Sequence, residues 1–547
     1  MSRHSLLPLA ASLCLAVAGC GDNDLTDDGV ANDVGDETAG TADTGETGDS
    51  GDTGEPEEMA APGLGIHMTA VEANQGTAIF VGGNGQWVGG ADRLGPLVHD
   101  RDTLLRIHYT VDDNWVPREI EARLRLVFGD GSEKVLSQVR MVDGPSAPNS
   151  LNEIFYFGLA ASDGMVVPDM AYQVEFYEVD GGALADASGL SPGTWQTPPE
   201  PGLLGVQAEL VELKVVFVPY HHKYQNIDRV ADTSDANMKL ITDYLFEQAA
   251  IHTLKWELHE PELWENPMVG LGGVLGPLAA LRDNEMAFPN VYYHALFPIP
   301  QGGVAGVAGV ALVPGDGKGE GDARVSVTAL GNSVSSAAGV VVHEVGHTQG
   351  MNHVKCPFAD AASPDPAYPY ENGYTGQWGF GIISHQLYSP SNHFDYMSYC
   401  NPAWMSTWSW NKTFTRAVKL TSWDYLDEET QDPWGADKPL LHYSLTNTGD
   451  EFWWVGHGTL PETADPYGSE YPHHIELHGQ GQLLAALPTV VRYSNDYSTA
   501  WVVAELPMEY ERLEGVDQII RVDDDNRAWA VPAHRVQLSE RSSMAWK

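Results

Sequence analysis

At 547 residues, with 43% hydrophobic and 10% aromatic side chains, the chain exceeds one ordinary domain and holds enough apolar material for several cores. Its formal charge of -47, from 76 acidic and 29 basic residues, excludes nucleic acid and anionic membrane surfaces as electrostatic partners; it suits solubility and basic substrates. The 57 glycines and 34 prolines imply frequent turns, so β-rich modules are expected in place of helical bundles.

Residues 1–20 read as a leader. Arg3 and His4 precede an apolar run from Leu6 to Ala18, too short to span a bilayer as a stable helix. The run ends in Val17-Ala18-Gly19-Cys20, which resembles a bacterial lipobox. That resemblance implies a lipidated Cys20 at the mature N-terminus; an ordinary cleaved signal peptide is the alternative. Gly21, where an aspartate would signal retention, implies the outer membrane or cell surface, with secretion as the fallback. Membrane contact is then expected through the anchor alone. Residues 21–61 are Asp, Glu, Gly and Thr with almost no large apolar side chain, and 14 acidic residues fall between positions 21 and 58. Such a segment cannot offset its ordering entropy and is expected to be a disordered tether.

Residues 62–205 alternate in the manner of strands. Leu105, Ile107, Tyr109 and Val111 interleave with Leu104, Arg106, His108 and Thr110, a half-buried pattern. Arg123 to Phe128 runs through the turn signal Gly129-Asp130-Gly131 into Lys134 to Val142, and Tyr172, Val174 and Phe176 give another strand. Short strands separated by turns predict a β-sandwich, with the Pro-rich Thr197 to Gly202 as its boundary.

Residues 206–431 change character. Leu213 to Val218 is a continuous apolar strand that Pro219 is expected to close. Met238, Ile241 and Leu245 lie at helical spacing behind Thr233-Ser234-Asp235, an N-cap region. Val291 to Phe297 and Arg324 to Ala329 read as strands around the Gly-rich stretch 302–322, whose residues 315–322 lack calcium-loop spacing and read as a solvated turn; calcium has no motif to support it. A buried helix of small and β-branched residues follows from Ser333 to about Thr348. From about Asp432, segments such as Glu451 to Val455 and Ala500 to Ala504 predict a small C-terminal β domain over 432–547.

The chemistry concentrates in His343-Glu344-Val345-Gly346-His347-Thr348-Gln349-Gly350-Met351-Asn352-His353. On a helix, i and i+4 share a face, so His343 and His347 aim at one point, and Glu344, about 100° around, lies beside a metal without ligating it. Gly350 lets the helix stop through a positive φ and carries His353 back as a third ligand. Three protein nitrogens leave one position open, the mark of a catalytic zinc site. Of the four cysteines, Cys14 leaves with the leader and Cys20 carries lipid; Cys356 and Cys400 remain, as one disulfide or as two buried thiols.

The extended motif resembles that of the metzincin clan of zinc proteases, with Asp395-Tyr396-Met397-Ser398-Tyr399-Cys400 resembling its Met-turn. The resemblance covers roughly residues 206–430 and implies an α+β catalytic domain with Met397 as an apolar floor. It implies an oxyanion role for Tyr399, a position that a structural tyrosine fits equally well. It implies a Cys356–Cys400 disulfide pinning the third-ligand segment to the turn, stabilising by about 3–4 kcal/mol in the chain-entropy model. The preceding β module is similar to those of mucin-cleaving bacterial metzincins. The expected protein is therefore multidomain: a metzincin-like α+β protease domain between an N-terminal β-sandwich and a C-terminal β domain, using one Zn2+ and Glu344 as general base on protein or glycoprotein substrates. The strand Arg324 to Ala329 is the candidate edge for substrate pairing. The alternative is a surface adhesion or glycan-binding lipoprotein with an inactive protease domain. His221 and His222 follow a strand end, His473, His474 and His478 lack ligand spacing, and His393 lies four residues before Met397, where it could line the cleft; each reads as a packing or surface residue before a ligand.

Overall fold

The computed structural model describes residues 61–83, 85–179, 189–194, 200–299, 306–331, 333–425, 438–460, 474–523 and 527–539. The leader, Cys20, the acidic segment to residue 60, His473 and the boundary near Asp432 lie outside these residues. The chain is multidomain and mostly β, with 43% strand against 20% helix, in line with its glycine and proline content. Among the described residues no helix is long and apolar enough to cross a membrane.

The N-terminal strands form two sheets. One runs in the order Gln86–Trp87, Ala78–Gly83, Ile66–Asn74, Thr103–Val111, Phe155–Leu159; the other runs Gly202–Leu203, Ala171–Glu178, Arg118–Val127, Glu133–Val142. Val71, Leu105 and Ile107 from the first meet Ile120, Leu124, Tyr172 and Val174 from the second in one core. The turn at Gly129-Asp130-Gly131 closes a hairpin, with Gly131 at φ 82. One expectation needs correcting: Thr103–Val111 is not half-buried. Arg106 on its second face is fully enclosed, its guanidinium bidentate to Glu72 at 2.9 and 2.7 Å, and Leu104 packs on Phe380 and Ile382 of the central unit.

The central sheet takes the order Ile227–Val230, Glu212–Tyr224, Val291–Pro298, Val325–Leu330, Gly309–Ala311, with Thr253–Leu258 and Glu262–Trp264 also pairing on Glu212–Tyr224. Alternation sorts its side chains: Val215 and Phe217 face helices α1 (Asp235–Glu247), α3 (Val334–Thr348) and α4 (Thr407–Ser422), while Val216 and Val218 face α2 (Leu275–Asn284). Pro219 does not end its strand. The ladder on that side passes from Leu258, opposite Phe217, to Glu262, opposite Tyr220, so Pro219 falls between two partners where no N–H is required. Nor is Val325–Leu330 an edge: it is parallel to Val291–Pro298 on one side and antiparallel to Gly309–Ala311 on the other, which makes Gly309–Ala311 the edge strand. Residues 315–322 are anchored as well as turned. Glu320 is buried and ion-paired with Arg492, and Asp322 lies 3.6 Å from Arg282.

The C-terminal strands make one eight-stranded sheet: Ala528–Pro532, Gln518–Val522, His474–Gly479, Gln482–Tyr493, Thr499–Glu505, Lys438–Thr446, Glu451–Gly458, Gln537–Leu538. One set of its side chains builds a separate core around Leu441, Ile475 and Ile519; another, including Leu440, Trp454, Trp501 and Val503, joins α2 and the central sheet in a shared core.

Candidate metal centre

Helix α3 begins at Ser333, whose hydroxyl accepts from the Ser336 N–H as an N-cap, and is held by buried Ala337, Ala338, Val341 and Val345. It ends in a Schellman turn: Gly350 donates to His347 O at 2.7 Å and Met351 to Gly346 O at 3.1 Å, with Gly350 at φ 83. A side chain at Gly350 is excluded twice over, because a Cβ there would lie 2.1 Å from Arg416 Nη2.

The structure brings His343, His347 and His353 together. His347 Nε2 lies 3.0 Å from His343 Nε2 and 3.1 Å from His353 Nε2, and all three ligand atoms fall within 4.8 Å of one another. Each opposite nitrogen donates to a main-chain carbonyl: His343 Nδ1 to Tyr396 O at 2.8 Å, His347 Nδ1 to Met351 O at 2.7 Å, His353 Nδ1 to Ala362 O at 2.6 Å. A carbonyl only accepts, so every Nδ1 carries the proton and every Nε2 turns a lone pair inward. Three converging lone pairs repel unless a cation lies among them. Tetrahedral Zn–N bonds of about 2.0–2.1 Å set ligand nitrogens about 3.3 Å apart, close to the spacing seen. The donor set therefore fits a divalent transition metal.

Burial first, and then neighbouring imidazoles, hold His343 down to about 3 and His347 well below the ordinary histidine value; burial also lowers His353. All three are neutral at physiological pH, the state in which imidazole can bind a metal. Glu344 is buried beside them, and burial, reinforced by Asp496, pushes its carboxyl well above the usual range. Its side chain lies against Gly309 of the edge strand, where an added Cβ would come within 2.6 Å of Glu344 Oε1. Glycine at 309 leaves the carboxyl its room.

Met397 is fully buried under the helix. A Cβ on Gly346 would sit 2.6 Å from Met397 Sδ and 2.7 Å from the Tyr396 ring, so the glycine between the two helical ligands lets the turn press against α3. Asp395 ties that turn to α4: its carboxylate accepts from Met397 N at 2.8 Å and Ser409 Oγ at 2.7 Å. Val354 N donates to Met397 O at 2.9 Å, and Cys356 and Cys400 are joined by a disulfide with Cα atoms 6.1 Å apart. Third ligand and turn are thus linked twice. Tyr399 stands edge-on to His353 with ring centroids 4.6 Å apart, and 5.8 Å from His343. Although 41% of its surface is exposed, partial desolvation and the Glu344 and Asp496 carboxyls raise its phenol above the ordinary value.

The remaining histidines are engaged elsewhere. His221 pairs with Asp228 at 2.6 Å, His222 reaches Asn266 O at 3.1 Å, His393 meets Ser389 O at 3.1 Å, and His474 and His478 flank Glu476. Sequence reasoning missed Gly309, Gly346, Asp395, Asn495 and Asp496. Gly346, inside the motif, and Asp395, two residues before Met397, left a local signal; Gly309, Asn495 and Asp496 come from strands and loops elsewhere in the chain. No protein-family model matches the chain, and no curated protein matches it.

Proposed function

We propose that the chain is an exported, zinc-dependent endopeptidase, with a metzincin-like α+β catalytic domain between two β modules and a lipid anchor at Cys20 for the outer membrane or cell surface. One observation carries this reading. Three buried, neutral imidazoles with carbonyl-fixed tautomers converge on one point beside a buried carboxyl. A closed structural site has a fourth protein ligand and no need of a base.

The three Nε2 atoms would hold the zinc, which would supply Lewis acidity, lowering the pKa of water and polarising a substrate carbonyl. Glu344 takes the proton of the attacking water and returns it to the leaving amine. The upward push on its carboxyl favours holding that proton between the two transfers. Tyr399 keeps its phenolic proton and donates a hydrogen bond to the developing oxyanion. Met397 and the disulfide keep the floor fixed under the histidines.

The test is metal analysis of the purified protein together with digestion of a peptide library and a mucin-type glycoprotein, with and without a chelator. One bound zinc and chelator-sensitive peptide cleavage are expected. Bound zinc without cleavage would leave the adhesion or glycan-binding reading; absence of a divalent ion would end the hydrolase reading.

A further inference from the structure

Glu344 has a neighbour from the far end of the chain. Strands Gln482–Tyr493 and Thr499–Glu505 form a hairpin whose tip, residues 494–498, reaches the edge strand. Ser494 bridges Leu312. Asn495 donates its N–H to Ala311 O at 2.9 Å and accepts from Ala311 N through Oδ1 at 3.1 Å, so it satisfies both main-chain groups of that residue. Its Nδ2 points to Glu344 Oε2 at 3.5 Å. Tyr497, at φ 58, contacts Ser363 through its hydroxyl, next to the Ala362 carbonyl that orients His353. The tip thus runs from the edge strand, past Glu344, to the segment holding the third histidine.

This tip is rigid. Ser494 N donates to Thr499 O at 2.9 Å and Thr499 N to Ser494 Oγ at 3.0 Å. The Arg492–Glu320 ion pair and buried Trp501 fasten the strands on either side. A Cβ on Gly272 would lie 2.0 Å from Thr499 Oγ1, so the central unit's backbone is in close contact with the hairpin base. A tip fixed this way is part of the site's shape.

Asp496 is the charged residue at its apex. Its Oδ1 accepts from Ser494 Oγ at 2.7 Å and Ser498 N at 2.9 Å, which aims the carboxylate; its Oδ2 has no hydrogen-bond partner among the described residues. The residue is partly exposed, and no Lys or Arg pairs with it among the described residues. Its charge acts on Glu344, His353 and Tyr399. A carboxylate held open beside Glu344 and His353 invites a cation from outside.

We infer that the hairpin tip is the fixed end wall of the substrate cleft, and that Asp496 is a specificity residue receiving an ammonium or guanidinium group of the peptide next to the cleaved bond. Asn495 blocks the edge at Ala311, so an extended substrate pairs with Gly309 and the residues before it. The cation comes either from a Lys or Arg side chain or from a free α-amino group. This inference rests on the hydrolase reading of the metal centre.

The zinc-loaded protein and its Asp496→Asn variant are compared in two assays. Asn keeps the Oδ1 acceptor that orders the tip and removes the charge. In turnover, the ratio of kcat/KM for lysyl over norleucyl peptides is expected to fall about tenfold in the variant, on the scale of a charge-assisted contact. Peptides with free and acetylated N-termini tell the side-chain source from the α-amino source. In binding, lysyl and norleucyl peptide hydroxamates are titrated calorimetrically, with the same tenfold preference expected in the wild type and its loss in the variant. Equal lysyl and norleucyl values in the wild type, or an unchanged preference in Asp496→Asn, would overturn the inference. A binding preference without any turnover would reject the hydrolase reading and leave the cation subsite standing.

Discussion

The two β modules differ in what they touch. The N-terminal sandwich meets the central unit at a distance from the histidines: Arg101 sends its guanidinium to Phe246 O, Glu247 O and Ile251 O at the end of α1, Trp404 Nε1 donates to Gly76 O at 2.7 Å, and Trp410 Nε1 to Pro96 O at 2.9 Å. The C-terminal sheet reaches the centre itself, where Asn495 meets Glu344 and the charge of Asp496 acts on it. One module buttresses the fold and the other shapes the site. Modules of similar composition therefore make different contributions, and only their contacts tell them apart.

The comparison has a common reference in the chemistry. Glu344→Gln should keep the bound metal and lose about 10³-fold in kcat, within the range for general acid–base catalysis, as read by metal content and peptide hydrolysis. Retained activity in that variant rejects the mechanism. Next in size is the floor. Replacing Cys356 and Cys400 by Ser should cost about 3–4 kcal/mol of stability in chemical denaturation, with weaker retention of metal because His353 loses one of its two links to the turn.

The buttress is probed by Arg101→Met, which strands four carbonyls, those of Gln75, Phe246, Glu247 and Ile251. A loss of about 2–3 kcal/mol is expected, with the substrate preference of the surviving folded enzyme unaltered. A shifted preference would erase the distinction between the modules. Acid acts on the buried histidines of the centre and the cores. His343, His294 and His442 are each held down to about 3 by burial, below the unfolded value of about 6.5. Between those limits the unfolded chain binds more protons, so their contribution is complete above about pH 6.5 and is lost as pH falls. The metal-free protein should lose about 1–2 kcal/mol per histidine by pH 5, followed as Tm against pH. Smallest is Asn495→Ala, which frees the Ala311 N–H. Leaving that buried donor unpaired should lower Tm by a few degrees, and KM for longer peptides should change severalfold; an unchanged length dependence would mean the wall does not border substrate.

What was legible in the sequence was what repeats locally. The i, i+4 spacing of His343 and His347, the stop at Gly350 and the return of His353 all lie within eleven residues, and a helix followed by a turn is enough to bring them together. Thr103–Val111 was misjudged because alternation reports one sheet's two faces but not what covers the second; Phe380 and Ile382 lie far along the chain. The same holds for the edge strand. Three residues of Gly-Val-Ala carry too little pattern to be seen, and the neighbouring Val325–Leu330, with its stronger apolar run, drew the assignment. Pro219 failed as a stop signal because a long strand can change partners midway.

The three imidazoles lean on peptide carbonyls, which are uncharged, where carboxylates often stand in such sites. A dication seated there keeps both of its charges. The acidic groups beside it are Glu344, on the helix, and Asp496, whose charge acts on the Glu344 and His353 side chains. The acidic surroundings of such an ion would thus be shared between the motif and a strand turn nearly 150 residues downstream, so the last module would help to retain it.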